Sequence, residues 1–240
     1  MNTETETADC CECSESFVWI RTSRTDQRPF YCPKCSIVII ERKHQAALAK
    51  TEDKLRELTP ARYLATDIQN PAFNGKLWKA VHEWEPTEDR PWLGLSGVPG
   101  KCKTRCAFLK FREIVLDMTR PPSDPSHAVW TPTFRALSAS RFQQVVMGQF
   151  EDSTKRDALD ALHGIKTVQV LLFDDLGKQR NTPAIAGVLF EILDFRHANN
   201  LVTIWTSNTT AEGITAGMPE DFAGPLAGRI IECSKIYSLK

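Results

Sequence analysis

The sequence predicts an α/β fold, a parallel sheet between helices, preceded by a small cysteine-bound module. Three observations predict it. From Pro91 onward short apolar runs alternate with helical stretches, the pattern of a parallel sheet covered on both faces. A glycine-containing turn over residues 97–104 joins the first of these strands to a helix. Five of the eight cysteines fall in the first 35 residues, which sets that segment apart. The 240 residues are 42% hydrophobic and 25% charged, an ordinary globular mix with room for one domain and a small appendage. Thirty Lys+Arg against thirty Asp+Glu exclude a bulk polycation but leave room for a local basic groove.

Taken in order, residues 1 to about 8 are polar and patternless and are expected to fray. Phe17-Val18-Trp19-Ile20 is β-prone, and Thr22 to Asp26 reads as a polar turn. About Ser36 to Leu58 is rich in Ala, Glu, Lys, Leu and Gln, without Gly or Pro. It predicts a helix ended by Pro60, which disfavours helical geometry in Thr59. Its stripe of Leu48, Leu55 and Leu58 is thin, as in a spacer. A second helix is expected around Lys76 to Trp84, then a buried strand over Trp92–Ser96 and a helix from Lys103 to Met118. Residues 120–127 are a loop by composition. His127 to Thr131 reads as a strand, and Phe134 to Phe150 and Ser153 to His163 as helices. Val168 to Phe173 is a buried strand ending in Asp174-Asp175. Pro183 to Ala198 is a helix, Leu201 to Thr206 a strand and Lys235 to Leu239 a last short strand. The longest aliphatic run, Ile37 to Ile40, is far short of the roughly 20 apolar residues of a membrane span. The polar, acidic start is neither a secretory nor a targeting segment, so a cytoplasmic protein with no membrane partner is expected.

Gly97-Val98-Pro99-Gly100-Lys101-Cys102-Lys103-Thr104 follows a strand and opens a helix, as a phosphate-binding loop does. The first Gly, the Lys and the Thr have the right spacing, but Cys102 stands where the second Gly belongs. Backbone N–H groups of such a loop face the phosphates, Lys103 would reach the β- and γ-phosphates, and Thr104 would hold Mg²⁺. A Cβ and sulfur at position 102 would crowd the phosphates or the adjoining backbone and weaken binding. The bland alternative is a strand, loop and helix with incidental Gly and Lys. Further on, the strand ending in Asp174-Asp175 supplies the second half of a nucleotide site. Asp174 would hold Mg²⁺ through its water shell, and Asp175 would polarise the attacking water. Asn208, after the strand Val202–Thr206, would lie beside the γ-phosphate, unless it is an ordinary turn residue. Arg229 is a candidate finger reaching a neighbouring subunit's phosphate, with a plain surface arginine as the alternative.

The order GVPGKCKT, VLLFDDLG, LFEILDFRHANN, VTIWTSN and LAGRI resembles the AAA+ ATPases of the DnaC/DnaI helicase-loader and IstB-like group, over roughly Pro60 to Lys240. Leu189 to Asn199 is similar to the helix of that group carrying Ile-Leu-x-x-Arg, here ending at Arg196. The resemblance implies a P-loop AAA+ core with a five-stranded parallel sheet, nucleotide at the carboxyl edge of the strands and ATP-dependent assembly. It places Lys103, Thr104, Asp174, Asp175, Asn208 and Arg229 in the roles above. Only eleven residues follow Arg229, so no helical lid is expected after it, which argues against a vigorous stand-alone motor.

Cys10-x₂-Cys13 and Cys32-x₂-Cys35, eighteen residues apart, have the spacing of a four-cysteine zinc site. Two knuckles joined by a hairpin, a zinc ribbon over residues 1–36, would let Zn²⁺ substitute for a core that so short a segment cannot build. Disulfides fit a cytosolic ATPase poorly, an iron–sulfur cluster is a smaller rival, and Cys11 is surplus. Residues 37–59 would be a linker helix and 60–240 the ATPase core. Arg21, Arg24 and Arg28 with Trp19, Phe30 and Tyr31 suggest a basic-aromatic face for single-stranded DNA, against a plain solvated hairpin edge. Trp130, Phe134, Arg135, Arg141 and Phe142 interleave in the same way, with core packing the favoured explanation.

The function expected is an ATP-switched replication helper that docks on and loads a hexameric DnaB-type helicase, with ATP, Mg²⁺ and Zn²⁺ as cofactors. An IstB-like helper of a transposase is the runner-up. A non-hydrolysing nucleotide-binding adaptor stays open because of Cys102.

Overall fold

The computed structural model describes residues 4–21, 29–122 and 127–240. The chain divides into two units, residues up to Lys54 with Leu116–Thr131, and Leu55–Val115 with Pro132–Lys240.

The first unit opens with antiparallel strands β1 (Glu4–Asp9) and β2 (Ser16–Arg21), paired from Glu4 opposite Arg21 to Asp9 opposite Ser16. Residues 4–9 therefore form a strand where fraying was expected over residues 1 to about 8. Its alternation places β-branched Thr5 and Thr7 opposite Ile20 and Val18, and Ala8 is buried. Helix α1 (Pro33–Leu58) begins inside the second cysteine pair. Pro33 opens its first turn, where a missing N–H costs nothing. The Cys35 N–H points at the Cys32 sulfur at 3.5 Å, and the Ser36 N–H donates to the Cys32 carbonyl at 2.9 Å. The expected turn at Thr22–Asp26, with Arg24 and Arg28, lies outside the described residues. The expected strand over His127–Thr131 is not one; Trp130 makes an isolated antiparallel bridge to Arg120.

The second unit carries α2 (Ala61–Leu64), α3 (Gly75–His82), β3 (Trp92–Gly97), α4 (Lys103–Asp117), β4 (Phe134–Ser138), α5 (Ala139–Gly148), α6 (Lys155–Thr167) and β5 (Val170–Asp174). It continues with α7 (Pro183–Ala198), β6 (Val202–Thr206), α8 (Ala211–Thr215), α9 (Glu220–Cys233) and β7 (Ser234–Leu239). The five strands form one parallel sheet in the order β4-β5-β6-β3-β7. Phe134 to Phe150 is thus a strand and a helix, not one helix. Phe134 pairs with Val170, and the Ser138 hydroxyl accepts the Arg141 N–H to cap α5. The strand runs into the helix with no Gly or Pro to mark the change.

Both faces of the sheet are covered. Leu171 and Phe173 pack with Phe142, Val146, Leu189, Leu193, Leu226 and Ile230 on one face. The alternate residues Val170 and Leu172 are equally buried on the other. There Phe111 of α4 meets Phe134 edge-on at 6.1 Å, and Phe134 shares a face with its partner Val170. Trp205 lies over Gly94, where a Cβ would overlap its ring. Arg196 is wholly buried beneath α7 and donates to the carbonyls of Val168 (2.7 Å), Val202 (2.6 Å) and Ile165 (3.2 Å) and to the Thr203 hydroxyl (2.9 Å). Burial lowers its pKa to about 9. Its five-donor fork ties α6 to the entries of β5 and β6, at the edge opposite the strands' carboxyl ends.

β5, β6 and β3 are adjacent, so their carboxyl ends, Asp174, Thr206 and Gly97, come to one edge. β3 leads on to β4 at the far side of the sheet, which opens the crevice where open α/β sheets hold ligands. Among the described residues no helix is long and apolar enough to cross a membrane.

Candidate phosphate site and cysteine cluster

The residue 97–104 loop connects β3 to α4 and is drawn tight around its own lysine. The buried Lys103 ammonium donates to the carbonyls of Gly97 (2.7 Å) and Val98 (2.8 Å). Burial lowers the pKa of Lys103, and the charge of Asp175 opposes that shift. Gly97 is at φ 116°, and a Cβ there would strike the backbone of Leu239, whose carbonyl accepts the Val98 N–H at 3.1 Å. The end of β7 thus fixes the start of the loop. Val98, Pro99, Gly100 and Lys101 are exposed. The Asn74 side chain approaches the Lys101 carbonyl at 3.5 Å, and the Cys102 thiol approaches the Ala72 carbonyl at 3.7 Å.

Cys102 sits at φ 63°, the left-handed region that glycine enters freely. This is the physical demand behind the missing second Gly. A residue with a Cβ costs about 1 kcal/mol there. Cys102→Gly should therefore raise the stability of the free protein by about 1 kcal/mol, read from its denaturation midpoint. It should also tighten nucleotide binding; an unchanged dissociation constant would remove backbone strain and crowding as the handicap of this loop.

Beside the loop, Thr104, Asp174 and Thr206 form one cluster. Asp174 Oδ1 accepts from the Thr104 hydroxyl at 2.8 Å and from the Thr206 hydroxyl at 2.6 Å. Burial raises the pKa of Asp174, partly offset by these two donors. Thr206 Oγ1 also accepts the Asp175 N–H at 2.9 Å, while Asp175 itself takes φ 59°. A hydroxyl and a carboxylate side by side are hard oxygen ligands of the kind Mg²⁺ takes with a phosphate. A metal there would offset the cost of the buried charge. Thr206 is the residue the motifs missed. Its signal was a polar side chain ending a buried strand, but only the β5–β6 pairing shows that it faces Asp174.

Asn208 is exposed two residues past the end of β6. Arg229 lies on α9, ion-paired to Asp194 of α7, with its guanidinium 4.8 Å from the Phe190 ring centre. Its ion-pair and ring partners are therefore on α7, not in the Asp174 cluster.

No protein-family model and no curated protein sequence matches the chain. Solved structures do. A DnaI crystal structure matches with a TM-score of 0.54 at 20% identity, over 76% of this chain and 95% of that one. A DnaC helicase-loader crystal structure matches with a TM-score of 0.53 at 19% identity, over 75% and 100%. The chain has the AAA+ P-loop fold. Replication initiator DnaA bound to AMPPCP and single-stranded DNA shares it too, with a TM-score of 0.54 at 17% identity, but the match spans only 51% of that chain. The AAA+ fold places the 97–104 loop, Asp174 and Thr206 at a single edge, as described above.

Apart from the AAA+ fold, the thiols of Cys10, Cys13, Cys32 and Cys35 lie within 4.8 Å of one another, with Cys13 and Cys32 sulfurs 3.9 Å apart. Tetrahedral Zn–S bonds of about 2.3 Å require sulfur separations of about 3.8 Å, so the cluster fits Zn²⁺. The first pair sits in the turn between β1 and β2, where Ser14 takes φ 59° and its N–H donates to the Cys10 carbonyl at 2.9 Å. The second pair brackets the start of α1, with Cys32 just before it and Cys35 in its first turn. Among the described residues, the module is a hairpin carrying the first pair and a helix start carrying the second; the expected turn between the pairs lies outside them. Burial acts to raise the Cys10 thiol, but backbone donors at Cys13, Cys32 and Glu12 outweigh it and bring it down to about 6. Cys35, facing the Cys32 and Cys13 thiols, is pushed up. Cys11 is exposed and outside the cluster.

Proposed function

We propose that the protein is an ATP-dependent DNA replication helper that docks on and loads a hexameric replicative helicase, with ATP binding and slow hydrolysis as the switch. The observation that carries the nucleotide half is the Thr104–Asp174–Thr206 cluster beside a lysine-bearing loop at one edge of the sheet. The likeness of fold to DnaI and to the DnaC helicase loader supports the replication half.

In this reading Lys103 leaves the Gly97 and Val98 carbonyls for the β- and γ-phosphates. Loop backbone N–H groups from Gly97 to Cys102 line the phosphate path, and Thr104 and Asp174 hold Mg²⁺, which neutralises phosphate charge. Asp175 orients the attacking water, Asn208 lies beside the γ-phosphate, and Arg229 leaves Asp194 to reach the phosphate of a neighbouring copy. The module of residues 1–36, with Zn²⁺ on Cys10, Cys13, Cys32 and Cys35, and the linker helix of residues 37–59 form the docking end, with residues 60–240 as the ATPase core. Single-stranded DNA is a further partner, in line with the DNA held by the DnaA structure that shares the fold.

Cys102 at φ 63° favours the second reading, an adaptor that binds nucleotide without turning it over. Steady-state ATP turnover separates the two. The ATPase reading expects slow hydrolysis by the wild type and a loss of about a hundredfold in Asp175→Asn, the scale of a lost general base. Nucleotide binding with no turnover above background in either protein would establish the adaptor.

A further inference from the structure

No motif marks Lys178, yet its ammonium pairs with Asp175 Oδ2 at 2.8 Å. The turn that carries it is held at several points. The Lys178 N–H donates to the Asp175 carbonyl at 3.1 Å, and the Leu176 N–H to the Thr206 carbonyl at 2.8 Å. The Ser207 hydroxyl donates to the Leu176 carbonyl at 2.6 Å, and the Gly177 N–H to the side-chain oxygen of buried Gln179 at 2.9 Å. The backbone of Lys178 is thus fixed beside the site, while its side chain stays 53% exposed on a flexible four-carbon stem. Its charge is felt at Lys103, where it opposes protonation.

The pair has a consequence for the water-activating role. A group that activates water must lie within about 3 Å of it, and that water within about 3.5 Å of the phosphorus it attacks. An ammonium bonded to the same carboxylate is then one side-chain swing from the terminal phosphate. While the pair holds, Asp175 Oδ2 is engaged. The pair is half-exposed and therefore weak, so a doubly charged phosphate group can compete for the lysine.

Building on the nucleotide reading above, we propose that Lys178 is a positioning residue that passes from Asp175 to the terminal phosphate of a bound nucleoside triphosphate, freeing the carboxylate only when a triphosphate is present. A diphosphate offers no such group and leaves the pair intact.

The test is binding of a non-hydrolysable ATP analogue and of ADP, each with Mg²⁺, to the full chain carrying its zinc. Lys178→Met should weaken the analogue about tenfold and leave ADP unchanged, and Lys178→Arg should restore most of the loss. Weakening of both nucleotides alike, or of neither, would overturn the proposal while leaving the nucleotide site standing. A wild-type protein that binds neither nucleotide, indistinguishable from Lys103→Ala, would overturn the nucleotide reading and the proposal with it.

Discussion

Lys103→Ala is expected to abolish measurable nucleotide binding, a loss of at least about a hundredfold. Each charge-assisted hydrogen bond between this ammonium and a phosphate oxygen contributes about 1.5–3 kcal/mol, and the lysine would make two. In the free protein the same ammonium bonds two loop carbonyls, Gly97 and Val98. Those carbonyls sit on a loop that is exposed from Val98 to Lys101, so water can replace the lost donor. The variant should therefore lose only about 1 kcal/mol of stability. The contrast is the point of the measurement, which pairs calorimetric binding with a denaturation midpoint. Large losses in both would mean that Lys103 is a structural prop of the loop.

The second large effect is metal removal. Chelation should unfold the hairpin of residues 4–21 and leave the five-stranded sheet protected, read by hydrogen exchange along the chain. In this module Ala8, Cys10, Cys32 and Ile39 are buried, while Val18, Ile20, Ile37 and Val38 stand exposed. So few buried apolar groups cannot hold a hairpin alone. Structural zinc in such modules contributes about 10–16 kcal/mol of apparent binding energy at neutral pH, which is also folding energy. Cys35→Ser should act in the same direction, because it removes one of the four clustered thiols. Loss of protection in β3, β5 and β6 on chelation would show that the sheet also depends on the metal.

Much of the sheet was legible because its central strands are buried on both faces and each ends at a chemical landmark. Trp92–Gly97 runs into the loop, Val170–Asp174 into the acid pair and Val202–Thr206 into a polar edge. The sheet's edge strand β4 and the separate hairpin strand β1 were not. β4 has the composition of the helix that follows it and is defined by pairing with β5, a contact across 36 residues that no local pattern announces. β1 is polar and exposed along most of its length and exists through its pairing with β2. At the site, residue types were readable and conformations were not. The sequence shows a cysteine in place of a glycine, but φ 63° turns that into an energetic cost. It shows Thr206 and Lys178 as ordinary polar residues; pairing and turn geometry bring the one onto Asp174 and the other onto Asp175.

The central claim, ATP-switched docking on a replicative helicase, is tested most directly by native mass spectrometry of the protein mixed with its cell's hexameric helicase and ATP. The account predicts a helicase hexamer carrying several copies of the chain, each with one zinc and one nucleotide. A protein that holds zinc and nucleotide yet leaves the hexamer bare would contradict it.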